Sequence, residues 1–325
     1  MPRAVVMRAY GGPEVLAIED ATLGPIQPDE IRVRTLASAV NHSDLEIRAG
    51  NYPIQRSPPF PYVPGLEVIG DIIEVGNGAR EFSVGDRVIT MMQGTGGLRA
   101  RRDGGYAEFV TLPQRIAARV PADLDPLDLA ALGLASVTAY EGLRKIGTLE
   151  GRRVVITGAS GGVGSAAVGI ALALGAQVIG VVSRAERVNY VRSLGAGEVR
   201  LAGEIENGAL GEESVDGVLD SVAGRLFRPC VNALRPGGVL SVVGAIGGGE
   251  VAFDAYALLN VTLSGYSSES LDGPSLRAAV EQICEWLRGG KLKPPRRTVL
   301  PLRDAEGAHA MLERRGVEGR VLLVP

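Results

Sequence analysis

Three glycines spaced three residues apart form the pattern in this sequence that most directly indicates a binding site. Gly158, Gly161 and Gly164 follow the apolar run Val154–Ile156 and precede an alanine-rich stretch that ends at Leu174. A strand, a glycine turn and a helix in this order present backbone N–H groups and the positive end of a helix dipole to an anion. The pattern predicts a dinucleotide-binding turn, since side chains there would block the phosphates or the helix–strand contact. The turn residues expected to bind are Gly158, Ser160, Gly161, Gly162, Val163 and Gly164.

The residues after the next apolar run indicate which dinucleotide binds. In a dinucleotide fold, a carboxylate at the end of the second strand hydrogen-bonds the ribose 2′-OH of NAD and repels the 2′-phosphate of NADP. Here Val178–Val182 is followed by Ser183 and Arg184, and Arg187 lies one helical turn later. A guanidinium presents forked donors that a phosphate accepts. The sequence predicts NADP, with Ser183, Arg184 and Arg187 around its phosphate; alternatively, both arginines are exposed helix charges.

The first part of the chain is rich in short β segments. Turns such as Gly11-Gly12-Pro13 separate apolar-rich stretches over Ala4–Arg8, Leu16–Glu19, Glu30–Ala39, Val68–Val75, Arg87–Met91 and Ala107–Leu112. Short strands bounded by turn residues are typical of an all-β domain. We expect a barrel-like β domain over residues 1–120.

From residue 121 the pattern changes to strands that alternate with helices. Strands are expected at Val154–Ile156, Val178–Val182, Val215–Leu219, Val239–Val243 and Val261–Ser264. This alternation implies a parallel, doubly wound sheet with right-handed crossovers, here over residues 121–266. The tail 267–325 contains two helices and two extended pieces, Arg297–Pro301 and Arg320–Val324. We expect the tail to complete the β domain.

The composition excludes several classes of protein. Of the 325 residues, 46% are hydrophobic and 22% are charged, and the formal net charge of −3 indicates no basic surface for nucleic acid. The two cysteines, Cys230 and Cys284, exclude a disulfide framework. The two histidines, His42 and His309, have no partner at metal-ligand spacing. We find neither a signal peptide nor an apolar run that could span a bilayer. We expect a cytoplasmic protein that binds neither nucleic acid nor membrane.

Further motifs occur together along the whole chain. They are Asn41-His42-Ser43-Asp44, Gly50-Asn51-Tyr52-Pro53, Pro64-Gly65-Leu66-Glu67, Val84-Gly85-Asp86-Arg87-Val88, Gly104-Gly105-Tyr106-Ala107-Glu108 and Arg235-Pro236-Gly237-Gly238. With the glycine turn, they resemble the medium-chain dehydrogenase/reductase superfamily and, within it, the zinc-independent quinone oxidoreductase branch. The resemblance implies an α/β fold in which a GroES-like β-barrel catalytic domain accompanies a doubly wound Rossmann nucleotide-binding domain.

The resemblance also indicates that no zinc is expected. The zinc alcohol dehydrogenases of this superfamily carry metal-ligating Cys, His and usually Cys where this chain has Asn41, Leu66 and Leu134. Leucine cannot ligate a metal, and a neutral amide is a poor zinc ligand. Glu67 remains, and we expect it to be a buried acid paired to a basic group.

The loop over residues 93–105 has none of the four cysteines that a structural zinc would need. It contains three glycines, Gly94, Gly96 and Gly97, before the run Arg99-Ala100-Arg101-Arg102. Such a loop could be a mobile lid whose positive charge favours an acidic or CoA-linked substrate. The alternative is a solvated surface loop.

Without a metal to stabilise an alkoxide, the expected chemistry is hydride addition to a conjugated carbonyl that hydrogen bonds activate. The substrate would be a quinone, an enone or an enoyl thioester. The resemblance suggests that the Asn41 amide donates to the substrate oxygen or near the nicotinamide, and that Tyr52 is a hydrogen-bond partner or proton donor. Asp44 is expected to fix the loop by capping backbone N–H groups. Alternatively, Tyr52 packs beside Pro53 and Asn41 serves only the turn.

Other residues are assigned by analogy with relatives. Thr138, Gly244 and Arg320 are expected to contact the cofactor, and Val261–Tyr266 is expected to be an edge strand that pairs in a homodimer. The predicted function is an NADPH-dependent reductase of quinones or other α,β-unsaturated carbonyl compounds. The alternatives are an enoyl-thioester reductase and a catalytically idle NADPH-binding protein with a structural or regulatory role.

Overall fold

The computed structural model describes residues 1–52, 60–97, 102–314 and 317–325. The strands are β1 (Arg3–Val6), β2 (Ala17–Asp20), β3 (Glu30–Val40), β4 (Glu67–Val75), β5 (Arg87–Met91), β6 (Phe109–Pro113), β7 (Ala118–Arg119), β8 (Arg153–Ile156), β9 (Gln177–Val182), β10 (Glu198–Leu201), β11 (Val215–Asp220), β12 (Leu234–Val242), β13 (Thr262–Gly265), β14 (Arg297–Pro301) and β15 (Arg320–Val324). The helices are α1 (His42–Ala49), α2 (Pro126–Arg144), α3 (Gly162–Ala173), α4 (Val188–Ser193), α5 (Ala202–Glu206), α6 (Phe227–Asn232), α7 (Gly273–Arg288) and α8 (Ala305–Glu313).

These helices and strands are divided between two compact units. The first comprises Met1–Leu134, Ser268–Glu285 and Arg296–Pro325, and the second comprises Ala135–Ser267 and Trp286–Pro295. The sequence places the changes at residues 120 and 266 and assigns the whole tail to the first domain. Trp286 packs edge-on against Tyr140, with 5.8 Å between ring centroids. This contact explains why a short piece of the tail belongs to the second unit.

A seven-stranded sheet forms most of the first unit. Its strands are ordered β14-β15-β3-β4-β5-β7, β6 pairs with β3, and β1 pairs separately with β2. Strand β3 is antiparallel to β4, β6 and β15, so most of its residues are buried. The core consists of apolar side chains that include Ile31, Val33, Val68, Ile72 and Leu112. Each β segment expected in this part of the chain is found, with small shifts at its ends.

The last strand brings a charged residue to the end of β3. Strand β15 pairs parallel with β14 and antiparallel with β3, with Val321 opposite Val40. Its four apolar residues fit the middle of a sheet, where both neighbours exclude water. This register places Arg320 beside Asn41, the residue that follows β3.

Helix α1, which the sequence interpretation did not predict, begins directly after β3. Asn41 is its N-cap residue, and Gly50 ends it in the left-handed region with φ +84°. The Gly50 N–H bonds to the carbonyl oxygens of Glu46 and Ile47, which satisfies the end of the helix.

Six parallel strands form the sheet of the second unit. Their order is β10-β9-β8-β11-β12-β13, and every neighbouring pair is parallel. Counted from β8, this is the 3-2-1-4-5-6 order of doubly wound dinucleotide folds. The predicted parallel sheet is therefore confirmed, although the short elements β10 and α5 were not expected. In the described ranges, no helix combines the length and apolar character needed to cross a membrane.

Candidate active site and nucleotide-binding turn

Asp44 holds the turn that carries Asn41. Its two carboxylate oxygens accept the backbone N–H groups of Asn41 and Leu66, at 2.8 and 3.1 Å. This is the capping of backbone groups that the sequence predicts, and it forms part of a capping box at the start of α1. The side chain is 1% exposed, and burial raises the pKa of its carboxyl from 3.8 to about 7. These contacts suit a residue that positions the site.

Asn41, Glu67 and Arg320 form a buried polar cluster beside this turn. The Asn41 amide donates to Glu67 Oε1 at 2.9 Å. The Arg320 guanidinium donates to the same carboxylate oxygen at 2.7 Å and to Asn41 Oδ1 at 2.9 Å. Each of the three residues is at most 7% exposed. The expectation that Glu67 is paired to a basic group is confirmed, and Arg320 is that group.

This cluster changes two expectations. Arg320 is expected at the cofactor, but its guanidinium is bound to Glu67 and Asn41, because the register of β15 brings it there. A contact from Arg320 to the cofactor stays a prediction. The Asn41 amide is expected to donate to a substrate. One of its N–H groups is given to Glu67, and the amide nitrogen lies 3.4 Å from the Ala39 carbonyl oxygen, so the amide is committed to the cluster.

The second oxygen of Glu67 depends on a kink in α2. Glu67 Oε2 accepts the backbone N–H of Leu134 at 2.7 Å. Gly133 just before it has the non-helical angles φ +34° and ψ −139°. A Cβ on Gly133 would lie 1.8 Å from Glu67 Oε2. Glycine is therefore needed both for the backbone conformation and for the space that the carboxylate occupies.

The donor set here does not fit zinc. Leu66 and Leu134 offer no donor atom, and the Asn41 amide and the Glu67 carboxylate are already bound to a guanidinium. A guanidinium keeps its charge in proteins, so Arg320 would repel a metal ion at this point. In the part of the chain that the structure describes, no group of three His, Cys, Asp or Glu side chains is placed to hold a metal.

Tyr52 is half-buried and has polar neighbours within the first unit. Its hydroxyl interacts with the Glu269 carboxylate and the Ser43 hydroxyl. Burial, with the carboxylates of Glu269 and Asp44, holds the pKa of this hydroxyl above its usual value of 10.0. Tyr52 therefore keeps its proton at neutral pH and can donate it in a hydrogen bond. Pro53, the packing partner suggested as an alternative, lies outside the described residues.

Glu269 is a neighbour of Tyr52 that sequence reasoning missed. It lies in the short 3₁₀ turn Ser268–Ser270, is 2% exposed, and its carbonyl oxygen accepts the Gln93 side-chain amide at 2.7 Å. No motif includes it. The signal that could have indicated it is its position, since it is an acid at the point where the chain returns to the first unit.

The glycine turn has the geometry that a pyrophosphate requires. Gly158 has φ +61°, and the Gly161 N–H bonds to its carbonyl oxygen at 2.9 Å. Gly161 is the N-cap of α3, so the N–H groups of Gly162, Val163 and Gly164 lie at the open end of a helix. A Cβ on Gly164 would lie 2.1 Å from the Gly158 oxygen. The turn therefore presents N–H groups as a dinucleotide phosphate requires, and glycine at position 164 allows the helix to pack closely against the turn.

The residues expected around the adenosine ribose lie at the end of β9. Ser183 and Arg184 are exposed, whereas Arg187 is 9% exposed. The helical turn expected between Arg184 and Arg187 is a 3₁₀ turn over Ala185–Arg187, and α4 begins at Val188. Arg184 is therefore open to solvent, whereas Arg187 is mostly buried. Binding of the phosphate by Ser183, Arg184 and Arg187 stays a prediction.

The remaining assigned residues are placed as follows. Ser160 lies in the glycine turn. Thr138 lies within α2 and is 7% exposed. Gly244 follows β12, where a Cβ would lie 3.1 Å from the Ser221 carbonyl oxygen. All three belong to the second unit. Residues 98–101, which contain most of the arginine-rich run, lie outside the described residues, so the lid stays a prediction.

Two family models match the chain. The model described as the alcohol dehydrogenase GroES-like domain matches residues 27–122. The model described as zinc-binding dehydrogenase matches residues 162–285. The two matches fall on the barrel side and the nucleotide-binding side of the chain respectively.

Individual relatives resemble the chain over nearly its full length. Quinone oxidoreductase of Sus scrofa is 32% identical over 332 residues, which cover 99% of this chain and 97% of that protein. A 2-haloacrylate reductase of Burkholderia sp is 30% identical over 344 residues, which cover 100% of this chain and 99% of that protein. Among solved structures, Escherichia coli quinone oxidoreductase complexed with NADPH has a TM-score of 0.85 at 28% identity, with 99% of this chain and 100% of that chain covered.

These matches agree with the fold and the glycine turn. The match to the GroES-like domain covers strands β3 to β7 of the barrel-like sheet, and the match to the dehydrogenase model covers strands β9 to β13 of the parallel sheet. The chain therefore belongs to the medium-chain dehydrogenase/reductase superfamily, in its quinone oxidoreductase branch, and is an oxidoreductase that uses a nicotinamide cofactor.

Proposed function

We propose that this protein is an NADPH-dependent, zinc-independent reductase that transfers a hydride to quinones or other α,β-unsaturated carbonyl compounds. The observation that carries the proposal is the Asn41–Glu67–Arg320 cluster, in which a guanidinium occupies the acceptor atoms of the only two polar side chains at the positions that the resemblance compares with zinc ligands. Carbonyl chemistry without a Lewis acid needs an acceptor whose negative charge is delocalised and can be met by hydrogen bonds. A conjugated carbonyl has this property.

Residues of the chain would bind the cofactor, donate a hydrogen bond to the substrate and position the donor. The cofactor, bound at the glycine turn of the second unit, supplies the hydride. In the first unit, the protonated Tyr52 hydroxyl would donate a hydrogen bond to the substrate oxygen as its charge increases. Ser43 would donate to the Tyr52 oxygen, and the substrate oxygen would replace the Glu269 carboxylate as the acceptor of the hydroxyl hydrogen. Asp44 would hold the start of α1 in place.

The preference for NADPH is inferred from the end of β9. Ser183 and Arg184 stand where an NAD-binding protein carries an acid, and both are exposed. The solved Escherichia coli relative contains NADPH. Fluorescence titration of the protein with NADPH and NADH tests the preference, and tighter binding of NADH would overturn it.

The substrate class is tested by turnover. We expect oxidation of NADPH with a small quinone, and kcat/KM for that quinone is compared with kcat/KM for a crotonyl thioester. A higher value for the thioester would favour the enoyl-thioester reductase. The similarity to a 2-haloacrylate reductase supports including an activated alkene acid in the same series. Tight NADPH binding without turnover on any of the three would contradict the reductase proposal and favour the idle cofactor-binding protein.

The part played by Tyr52 has its own test. The variant Tyr52→Phe removes only the hydroxyl, and we expect kcat to fall at least tenfold, in the range that general acid–base groups contribute. Tyr256→Phe is a matched control because Tyr256 is 78% exposed. An unchanged kcat in Tyr52→Phe would remove Tyr52 from the chemistry. Zinc analysis of the purified protein completes the series, and one zinc per chain would contradict the zinc-independent mechanism.

We also propose that two copies pair through β13. This strand lies at one end of its sheet, paired with β12. Just before it, Tyr256 and Leu259 are each 78% exposed. Apolar side chains beside an open strand edge favour association with a second strand. Sedimentation should give a dimer at micromolar concentration, and Leu259→Glu should shift it toward the monomer; a wild-type monomer would refute the pairing.

A further inference from the structure

His309 is fully buried between two side chains of the first unit. The Arg48 guanidinium lies 3.2 Å from His309 Nδ1, and the Tyr106 hydroxyl lies 3.1 Å from His309 Nε2. His309 and Tyr106 are each 0% exposed, and Arg48 is 2% exposed. Burial and the neighbouring Arg48 lower the pKa of His309 to about 3, so the imidazole is neutral in the working range of pH.

These contacts settle which way each hydrogen bond runs. A guanidinium has donors only, so Arg48 must donate to His309 Nδ1. A neutral imidazole then carries its proton on Nε2, which donates to the Tyr106 oxygen. The Tyr106 hydroxyl hydrogen therefore points away from His309. The Asp44 carboxylate interacts electrostatically with this hydroxyl and is an acceptor available to it.

The chain of bonds ends at the turn that carries Asn41. Asp44 is 1% exposed and accepts the backbone N–H groups of Asn41 and Leu66. A buried carboxylate that accepts from several donors is held in one position. The order Arg48, His309, Tyr106, Asp44 thus links α8 and the Tyr106 segment to the N-terminal turn of α1.

We propose that His309 is a positioning residue: it fixes the direction of the Tyr106 hydroxyl, and through it holds Asp44 and the Asn41 turn in their active geometry. Its effect on turnover rests on the proposed reductase function, whereas its effect on the turn does not. The chain orients groups and does not conduct protons, because Arg48 at its outer end cannot release one. Glu313, whose side chain is 40% exposed, balances the charge of Arg48.

Two substitutions of His309 separate orientation from packing. In His309→Gln, the amide oxygen can accept from Arg48 and the amide nitrogen can donate to Tyr106. In His309→Leu, similar volume is kept and both hydrogen bonds are lost. We expect kcat to fall about tenfold in His309→Leu, as for a misplaced catalytic turn, and to stay within about threefold of wild type in His309→Gln. Equal kcat in the two variants, or a higher value in His309→Leu, would overturn the proposal.

Amide hydrogen exchange at Asn41 and Leu66 gives a readout that needs no substrate. Both N–H groups donate to Asp44, so we expect faster exchange in His309→Leu than in His309→Gln. Slow exchange in both variants would also overturn the proposal. If the wild type reduces no acceptor, the reductase proposal fails while this measurement still decides the positioning of the turn.

Tyr106→Phe covers the case in which His309→Leu does not fold. It deletes the hydroxyl between His309 and Asp44, and should speed exchange at Asn41 and Leu66. Tyr62→Phe is the matched control, because it removes an equally buried hydroxyl that donates to the Gly96 carbonyl oxygen at 2.7 Å. Wild-type exchange in Tyr106→Phe, or the same acceleration in Tyr62→Phe, would contradict the chain.

Discussion

The Arg320 guanidinium lies 2.7 Å from the Glu67 carboxylate, and the two side chains are 5% and 2% exposed. Two charges removed from water lose hydration energy, which their attraction offsets only when further hydrogen bonds satisfy the remaining atoms. Here Asn41 and the Leu134 N–H supply those bonds. The pair therefore depends on all of its neighbours, and removal of one charge should affect the whole cluster.

Replacement of Arg320 by methionine should destabilise the protein strongly. Arg320→Met leaves the Glu67 carboxylate buried without its counter-charge, a change that costs about 3–5 kcal/mol in the free energy of unfolding. Urea unfolding measures it. Arg8→Met is the control, because the Arg8–Glu19 pair is solvent-exposed and such pairs contribute about 0–1 kcal/mol. If Arg320→Met lowers the free energy of unfolding by less than Arg8→Met does, Arg320 does not stabilise the buried Glu67 carboxylate.

Addition of a methyl group at Gly164 should weaken cofactor binding. In Gly164→Ala the new Cβ would lie 2.1 Å from the Gly158 carbonyl oxygen and 2.6 Å from its carbonyl carbon, so the turn and α3 must separate. We expect the Kd for NADPH to rise at least about tenfold, since the phosphates lose aligned N–H groups. Gly203→Ala is the control, because nothing lies within 4 Å of a Cβ there. Unchanged affinity in Gly164→Ala would remove this turn from the cofactor site.

The strands could be predicted more reliably than one helix of the site. The sequence places β14 and β15 at the residues where the structure has them, because apolar runs bounded by prolines and glycines are clear strand signals. Helix α1 was missed although Asn41 and Gly50 are typical cap residues. It buries Asp44 and Arg48 together with Leu45 and Ile47, so apolar periodicity does not reveal it.

The parts of the site also differ in how well the sequence predicts them. The glycine turn is a local pattern, and its strand, turn and helix are adjacent in sequence. The partner of Glu67 depends on the register of β15 against β3, and the neighbour of Tyr52 depends on where Glu269 re-enters the unit. Such long-range pairings have no local signal, which explains why the sequence did not indicate Arg320 as the partner of Glu67.

Stability should depend on pH through Asp44. Its folded-state pKa of about 7 lies above the model-peptide value of 3.8, so the folded protein binds the proton more tightly than the unfolded chain. The stabilisation is present below pH 4 and is lost as pH rises through 7, by at most on the order of 4 kcal/mol. The lowered pKa of His309 acts in the opposite direction, because protonation destabilises the fold as pH falls from 6.5 toward 3.

The variant Asp44→Asn isolates the contribution of Asp44. Wild type and variant are unfolded in urea at several pH values between 4 and 8, and the difference between their free energies of unfolding is plotted. We expect that difference to shrink as pH rises, because only the wild type loses the stabilisation that protonated Asp44 provides. His309 and Glu67 titrate in both proteins, so their contributions cancel in the difference. The absolute loss in the variant has a second cause, since an amide N–H would face the N–H groups of Asn41 or Leu66. A difference that does not change with pH would contradict the raised pKa.

Selectivity for NADPH should be carried by Arg184 more than by Arg187. Arg184 is exposed at the end of β9, where a phosphate can reach it, whereas Arg187 is 9% exposed. Arg184→Ala should raise the Kd for NADPH about tenfold and leave the Kd for NADH unchanged, since only NADPH carries the 2′-phosphate. Arg192→Ala, an exposed arginine on α4, controls for general loss of positive charge. The selective loss should weaken as salt is added, because an exposed guanidinium–phosphate contact is screened. Equal losses for both cofactors would instead indicate that Arg184 shapes the turn after β9 rather than binding the phosphate.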